Sequence, residues 1–149
     1  MEELWGLRRY IEAGDYDAAL ALLDEMEAMS RDDKITRIES FMQVLLLHLI
    51  EQAVEQRTTK SWDISILNAC DQILRLNKRR KAGGWYLSEH DLYEALEEVY
   101  DTALRRASLE AWEGIYTAAQ LTAMHERQQV LRDAWAKIRP AQQAQASHA

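Results

Sequence analysis

The chain has 149 residues, a length typical of one domain and sufficient to bury a core without disulfides or metals. Hydrophobic residues make up 48% and charged residues 29%, with five glycines and one proline, which favours helices over turn-rich sheets. The net charge of -7 argues against a dedicated nucleic-acid binder, because such proteins neutralise phosphates with cations.

In the N-terminal third, the spacing of the apolar residues predicts two short helices. The first covers residues 2–13 and is stopped by Gly14. From residue 16 to residue 29, apolar side chains recur every three or four positions opposite a row of acidic ones, which indicates an amphipathic helix. The sequence Ser-Arg-Asp-Asp at residues 30–33 fits a capping box, so a third helix is predicted to begin there.

The third predicted helix covers residues 31–55 and is apolar on nearly all sides around residues 44–50. A helix that is apolar all round is buried all round, so this one is predicted to lie at the centre of the fold. A fourth helix, capped by Ser61 or a neighbour, is predicted to end in the basic run 78–81, before two glycines that break the chain.

A second capping box at Ser88 predicts a fifth helix, after which Gly114 marks a break. A final helix with an apolar stripe of nearly seven-residue spacing is predicted from Leu121 to Ile138. The Ala- and Gln-rich tail over residues 140–149 is predicted to be disordered.

Together these elements predict an all-α fold. It is a single helical domain over residues 1–139, built as a bundle of about five to seven helices around the central helix at residues 31–55. The single cysteine, Cys70, excludes an internal disulfide and is expected to be a small core residue.

Two features of the sequence bear on its compartment. The N-terminus lacks the basic region of a signal peptide, and the longest apolar run, at residues 44–50, is far below the roughly 20 residues of a membrane span. We therefore expect a cytoplasmic protein that does not associate with membranes.

Two stretches of the chain carry a family resemblance. The run LLLHLI at residues 45–50 is followed by TKSWDISI at residues 59–66. This pair resembles the signature of a bacterial family catalogued as domain of unknown function 29, and the likeness covers roughly residues 4–107. That family is all-helical and functionally uncharacterised, so the resemblance implies a helical fold and supplies no catalytic residue.

No recognised catalytic or cofactor-binding pattern occurs in the sequence, and we expect a protein that is not an enzyme and needs no cofactor or metal. His90 and Glu94 could form one edge of a zinc site, but a solvated helix face explains them more simply. His48 lies within the apolar run and needs a hydrogen-bond partner there. We predict a satisfied, buried polar histidine, with a small-molecule or metal pocket beside it as the alternative.

Cations and aromatic rings alternate around residues 57–62 and 75–86, and they form the predicted interaction surface. Its members are Arg57, Lys60, Trp62, Lys78, Arg79, Arg80, Lys81, Trp85 and Tyr86. Because aromatic residues and arginine dominate protein contacts, we predict a protein-interaction module that binds a protein partner and self-associates as a homo-oligomer.

Two other interpretations of the same residues stay open. In one, the protein is a nucleic-acid-associated regulator whose cations contact phosphates. In the other, the basic run completes a helix C-terminus, with Trp85 and Tyr86 folded back as a hydrophobic plug. A second candidate surface consists of the acidic helices at residues 16–29 and 89–107, which could meet a basic partner.

Overall fold

A computed structural model describes residues 2–79, 83–114 and 116–139 of the chain. Within them it contains six α-helices and one short 3-10 helix. The α-helices are α1 (Glu2–Glu12), α2 (Tyr16–Glu55), α3 (Lys60–Asn77), α4 (Glu89–Glu110), α5 (Ala118–Ala123) and α6 (Arg127–Ile138), and the 3-10 helix covers Ala111–Gly114. The predicted all-α fold is confirmed, and the predicted tail at residues 140–149 lies outside the described residues.

The central element is α2, which has 40 residues and is about 60 Å long at 1.5 Å per residue. The predicted helix break at Ser30 is wrong, because α2 continues through this position without interruption. A capping serine begins a new helix only where the preceding chain leaves the helical conformation, and residues 16–55 contain no glycine or proline that would favour such a break.

The core forms where α3, α4 and α6 pack against the C-terminal half of α2. Its fully enclosed large side chains are Ile38, Met42, Leu45, Leu46, Ile50, Ile73, Leu92, Leu96, Leu121, Leu131 and Ile138. The central position predicted for residues 31–55 therefore holds from Ile38 onward.

Side-chain caps fix where the helices begin. The hydroxyl of Thr59 accepts from the Trp62 amide at 3.0 Å, so a neighbour of Ser61 caps α3. The predicted cap at Ser88 accepts from the Asp91 amide at 3.2 Å. These bonds satisfy amides that have no partner within the first turn of a helix.

The single final helix predicted from Leu121 to Ile138 is wrong, because two helices, α5 and α6, occupy this stretch. The chain turns between them at residues 124–126, where His125 lies 2.6 Å through Nδ1 from the carbonyl oxygen of Leu121. The apolar stripe nevertheless faces the bundle, since Leu121, Leu131 and Ile138 are all buried.

Among the described residues, no helix combines the length and the apolar character that crossing a membrane requires.

Candidate functional site

The predicted interaction surface is divided in two by α3. This helix has 18 residues, so its ends are about 26 Å apart. One part, the tryptophan cluster, consists of Arg57, Lys60 and Trp62 at the start of α3. The other part, the tyrosine cluster, consists of Lys78, Arg79, Trp85 and Tyr86 at its end, while Arg80 and Lys81 lie outside the described residues.

In the tryptophan cluster, the charge of Arg57 is already engaged. Its guanidinium carbon lies 5.0 Å from the centre of the Trp62 ring, which suits a cation–π contact. Its Nη2 atom lies 3.0 Å from a carboxylate oxygen of Glu55. Trp62 is half-buried and Lys60 is exposed, so the cluster offers less free positive charge than its composition indicates.

The tyrosine cluster is held against the end of α3 by backbone bonds. Lys78 and Trp85 form an isolated antiparallel bridge, and the Arg79 amide donates to the Gly84 carbonyl at 3.0 Å. Lys34 Nζ lies 5.4 Å and the Arg79 guanidinium carbon 5.7 Å from the centre of the Tyr86 ring. Both aromatic rings are half-buried, so they serve the loop structurally as well as facing solvent.

Buried Asn77 anchors the same loop. Its side-chain oxygen accepts from the Leu87 amide at 2.8 Å, and its side-chain nitrogen donates to the Leu87 carbonyl at 3.2 Å. A side-chain amide that pairs with both backbone groups of one residue gives them the hydrogen bonds that a neighbouring strand would otherwise supply. The loop geometry therefore depends on one enclosed polar side chain.

His48 finds its partner one turn along its own helix. Its Nδ1 atom lies 3.3 Å from Oε2 of Glu51, and its ring stacks on Trp62 with centroids 6.4 Å apart. Glu51 is only 2% exposed, whereas the His48 side chain is 15% exposed. His48 therefore lies at the edge of the core, and its carboxylate partner is more deeply enclosed than the ring.

A second carboxyl group, that of Glu110 at the end of α4, completes this polar cluster. Glu110 is exposed at its outer side, and the partial burial of its carboxyl group, followed by a hydrogen bond to Glu51 and the charge of Glu51, raises its pKa above the ordinary value, against the opposing effects of Arg106 and His48. Two carboxyl groups this close favour a shared proton over two negative charges.

Two surface grooves, one beside Tyr10 and one of about 370 Å³ beside His125, are lined by neither His48 nor Glu51. The spacing of three residues between His48 and Glu51 was a readable signal that the sequence interpretation missed. Nothing in the sequence indicated that either residue contacts Glu110, because Glu110 lies on α4, far along the chain from α2.

A tyrosine–histidine pair links α4 to the turn between α5 and α6. The Tyr100 hydroxyl is hydrogen-bonded to Nε2 of His125, while Nδ1 of the same ring faces the Leu121 carbonyl. A carbonyl oxygen can only accept, so Nδ1 carries the proton and Nε2 accepts from the tyrosine. Burial raises the pKa of Tyr100 to about 12, so its hydroxyl stays protonated and can donate to this nitrogen.

Three exposed residues at the start of α4 could offer ligand atoms to a cation. The ligand atoms of His90, Asp91 and Glu94 lie within 4.8 Å of one another. All three side chains face solvent, where acidic groups are commonly found without a bound ion. The predicted solvated helix face accounts for them.

Most of the exposed large hydrophobic side chains in the described part of the chain lie on the N-terminal hairpin, which consists of α1 and residues 16–29 of α2. Eight of the twelve exposed large hydrophobic side chains in the described part of the chain occur here, with exposed fractions of 38–67%. They are Leu4, Trp5, Tyr10, Ile11, Tyr16, Leu20, Leu23 and Met29. Helix α1 has no buried residue at all among its described positions.

Helical geometry gives the direction of the exposed residues in α1. This helix contacts α2 near Gly6, where an added Cβ would lie 3.4 Å from a methyl carbon of Leu22. Gly6 and Leu7 are the less exposed positions of α1. Successive residues of a helix are turned by about 100° around its axis. Viewed down the axis of α1, Leu4 and Ile11 point about 90° away from the contact with α2, in the direction in which the helix winds.

The same rotation applies in α2. Its contact with α1 runs through Ala19 and Leu22, which are buried and half-buried. Tyr16, Leu20 and Leu23 are rotated from it by about a quarter turn in the same sense. When two helices are antiparallel, side chains turned by the same angle from the line of contact between them lie on the same side of the pair.

These exposed residues therefore share one side of the hairpin, and we call this side the hairpin face. It consists of Leu4, Ile11, Tyr16, Leu20 and Leu23. Sequence periodicity predicted apolar residues at helical spacing in both helices, and the acidic helix at residues 16–29 was part of the second candidate surface. Periodicity within one helix cannot show whether another element covers the stripe, so the exposure of this face was not readable from the sequence.

No curated protein and no solved structure matches the chain at a significant level. The family model described as Domain of unknown function DUF29 matches residues 12–136. The match extends further toward the C-terminus than the motifs that carried the resemblance, and it begins where α1 ends. Because the match covers most of the described helices, the chain belongs to the DUF29 family.

Proposed function

We propose that this protein is a protein-interaction module that binds its partner through the hairpin face. The supporting observation is that the five large hydrophobic side chains of this face are 38–65% exposed. Monomeric soluble proteins rarely leave large contiguous apolar areas in water, and such areas commonly mark contacts with other macromolecules.

The composition of the hairpin suits this role. Tyr16 contributes a large, rigid side chain that loses little conformational entropy when a partner covers it. Leu4, Ile11, Leu20 and Leu23 supply the aliphatic surface that a partner helix can pack against. This assignment moves the proposed contact away from the tryptophan and tyrosine clusters.

A binding role is favoured over catalysis. The polar cluster of His48, Glu51 and Glu110 contains groups that can exchange protons, but the grooves beside Tyr10 and His125 do not reach it. We also propose that the protein acts in the cytoplasm, since its one cysteine, Cys70, is buried and unpaired.

The nucleic-acid alternative receives less support from the described charges. Its cations are divided between the two ends of α3, and Arg57 is engaged by Glu55 and Trp62. A protein that binds nucleic acid through a few phosphate contacts would lose affinity steeply as salt increases, whereas an apolar protein contact would not.

The test uses affinity capture from a lysate of the native organism with the full-length chain. We compare the wild type with two double variants, Leu20→Ser with Leu23→Ser on the hairpin face, and Ile64→Ser with Leu67→Ser on α3. All four positions are exposed, so both variants should fold.

The proposal predicts a protein that is lost with the first variant and retained with the second. A capture pattern that is identical for the wild type and both variants would show that the hairpin face binds nothing. Nucleic acid in the eluate that a high-salt wash removes would favour the alternative.

A further inference from the structure

We propose that the partner of the hairpin face is a cationic amphipathic helix of another protein. This inference rests on the proposed function and adds the chemistry of the occupant. Residues 2–29 contain eight acidic side chains and two arginines, so the hairpin that carries the exposed apolar residues has six excess negative charges.

The positive charges of the hairpin do little to reduce this imbalance. Arg8 Nε lies 2.9 Å from a carboxylate oxygen of Glu12, so these two charges neutralise one another. Arg9 is the other arginine of the hairpin. The surroundings of the hairpin face are therefore strongly negative.

The acidic residues of α2 lie beside the apolar ones. In helical projection, Asp17, Asp24 and Glu27 fall within about 60° of Leu20. They border the α2 edge of the hairpin face, and all three are exposed. A helix lying on Leu20 and Leu23 would bring its own edge residues next to these carboxylates, where lysine or arginine is favoured.

The shape of the face suits a helix. Two antiparallel helices present a shallow groove, and a third helix in that groove completes a three-helix arrangement with its apolar stripe covered. Helix α1 has 11 residues and is about 16 Å long, so an occupant of three to four turns would span it.

The same charges argue against two other occupants. A second copy bound through the same face would oppose two hairpins that each carry six excess negative charges, because a two-fold contact brings identical patches together. An anionic membrane surface would repel the hairpin for the same reason.

The experiment measures binding of two labelled synthetic peptides to the full-length protein by fluorescence anisotropy. Both peptides are about 18 residues long, with leucine at helical spacing on one face. One carries lysine at every polar position and the other carries glutamate. The protein variants are Leu20→Ser with Leu23→Ser, Asp24→Lys with Glu27→Lys, and the matched control Ile64→Ser with Leu67→Ser.

The inference predicts that the wild type and the control bind the lysine peptide and not the glutamate peptide. The serine variant of the hairpin face should bind the lysine peptide roughly tenfold more weakly, because its apolar anchors are removed. The charge-reversal variant should lose affinity for the lysine peptide by a similar factor and gain affinity for the glutamate peptide.

Other results separate this inference from the proposed function. Equal binding of both peptides, lost together in the serine variant, would overturn the cationic partner and leave the interaction module standing. A dimer in sedimentation that the serine variant abolishes, with neither peptide bound, would replace the partner with a second copy. If neither peptide binds, the protein is monomeric and lysate capture is unchanged by the variants, both proposals fail.

Discussion

The two halves of α2 differ in how many neighbours they have. Between Ile38 and Val54 the helix contributes nine buried residues, whereas between residues 16 and 37 it contributes Ala19 alone. Both halves carry apolar residues at helical spacing. The C-terminal half is covered by α3, α4 and α6, and the N-terminal half by α1.

An apolar stripe therefore stabilises a fold only in proportion to the part of its surface area that other helices cover. Each apolar side chain of the bundle loses most of its contact with water and packs against several others. The corresponding side chains of the hairpin remain in water, where they contribute little to stability and are available to a partner.

The sharpest test replaces matched leucines in the two halves of the same helix. Leu46 is fully enclosed and Leu20 is 60% exposed. Leu46→Ala should lower the free energy of unfolding by about 2–5 kcal/mol, because it removes buried methyl groups and leaves a cavity. Leu20→Ala should change it by no more than about 0.5 kcal/mol. Urea denaturation of both variants measures the two values.

Equal losses in the two variants would break the comparison, since they would require Leu20 to be covered in solution. A dimer that buries the hairpin face would produce that result, and its midpoint would then depend on protein concentration.

The next effect tests the enclosed amide of the bundle. Asn77→Ala should destabilise the fold by about 1–3 kcal/mol, because the Leu87 amide and carbonyl would lose their partners while remaining buried. Asn68→Ala on the exposed side of the same helix is the control and should be nearly neutral. A neutral Asn77→Ala variant in urea denaturation would mean that water or a rearranged loop replaces these bonds.

A smaller effect depends on pH. Because folding raises the pKa of Glu110 above its ordinary value of 4.5, the folded state binds that proton more tightly than the unfolded state does. Its stabilising contribution is complete below pH 4.5 and is lost as the pH rises through the raised pKa. Glu110→Gln stays neutral, so its melting temperature relative to the wild type should increase from pH 4.5 toward neutrality.

The control for this prediction is Glu97→Gln, which replaces an exposed carboxylate of the same helix. Its melting temperature relative to the wild type should vary little over the same pH range. If the two variants behave alike, then Glu110 does not share a proton with Glu51.

The smallest effect is expected in the tyrosine cluster. Arg79 is exposed, and the bond from its backbone amide to Gly84 does not need its side chain. Arg79→Ala should therefore change the free energy of unfolding by no more than about 0.5 kcal/mol in urea denaturation. A loss of several times that size would show that the cation on the Tyr86 ring helps to hold the loop.

Local signals succeeded where one residue decides the structure. The cap predicted at Ser88 and the break near Gly114 both occur, because a capping hydroxyl and a glycine act within one turn of the chain. The capping pattern at Ser30 did not produce a helix start, because the uninterrupted helix α2 retains its backbone hydrogen bonds through this position. The turn at His125 shows the opposite failure, where a side chain ends a helix that the apolar pattern predicted to continue.

The sequence alone predicted the all-α class and the enclosed centre of α2, because composition and periodicity act through propensities that each helix carries alone. Its motifs at residues 45–50 and 59–66 carried the family resemblance. Which apolar faces of the helices are covered depends on how the helices pack against one another. The tertiary structure brought Glu110 to Glu51 and left the hairpin face exposed. These outcomes depend on which helices pack against one another. The spacing of apolar residues within one helix does not show which helix will pack against it.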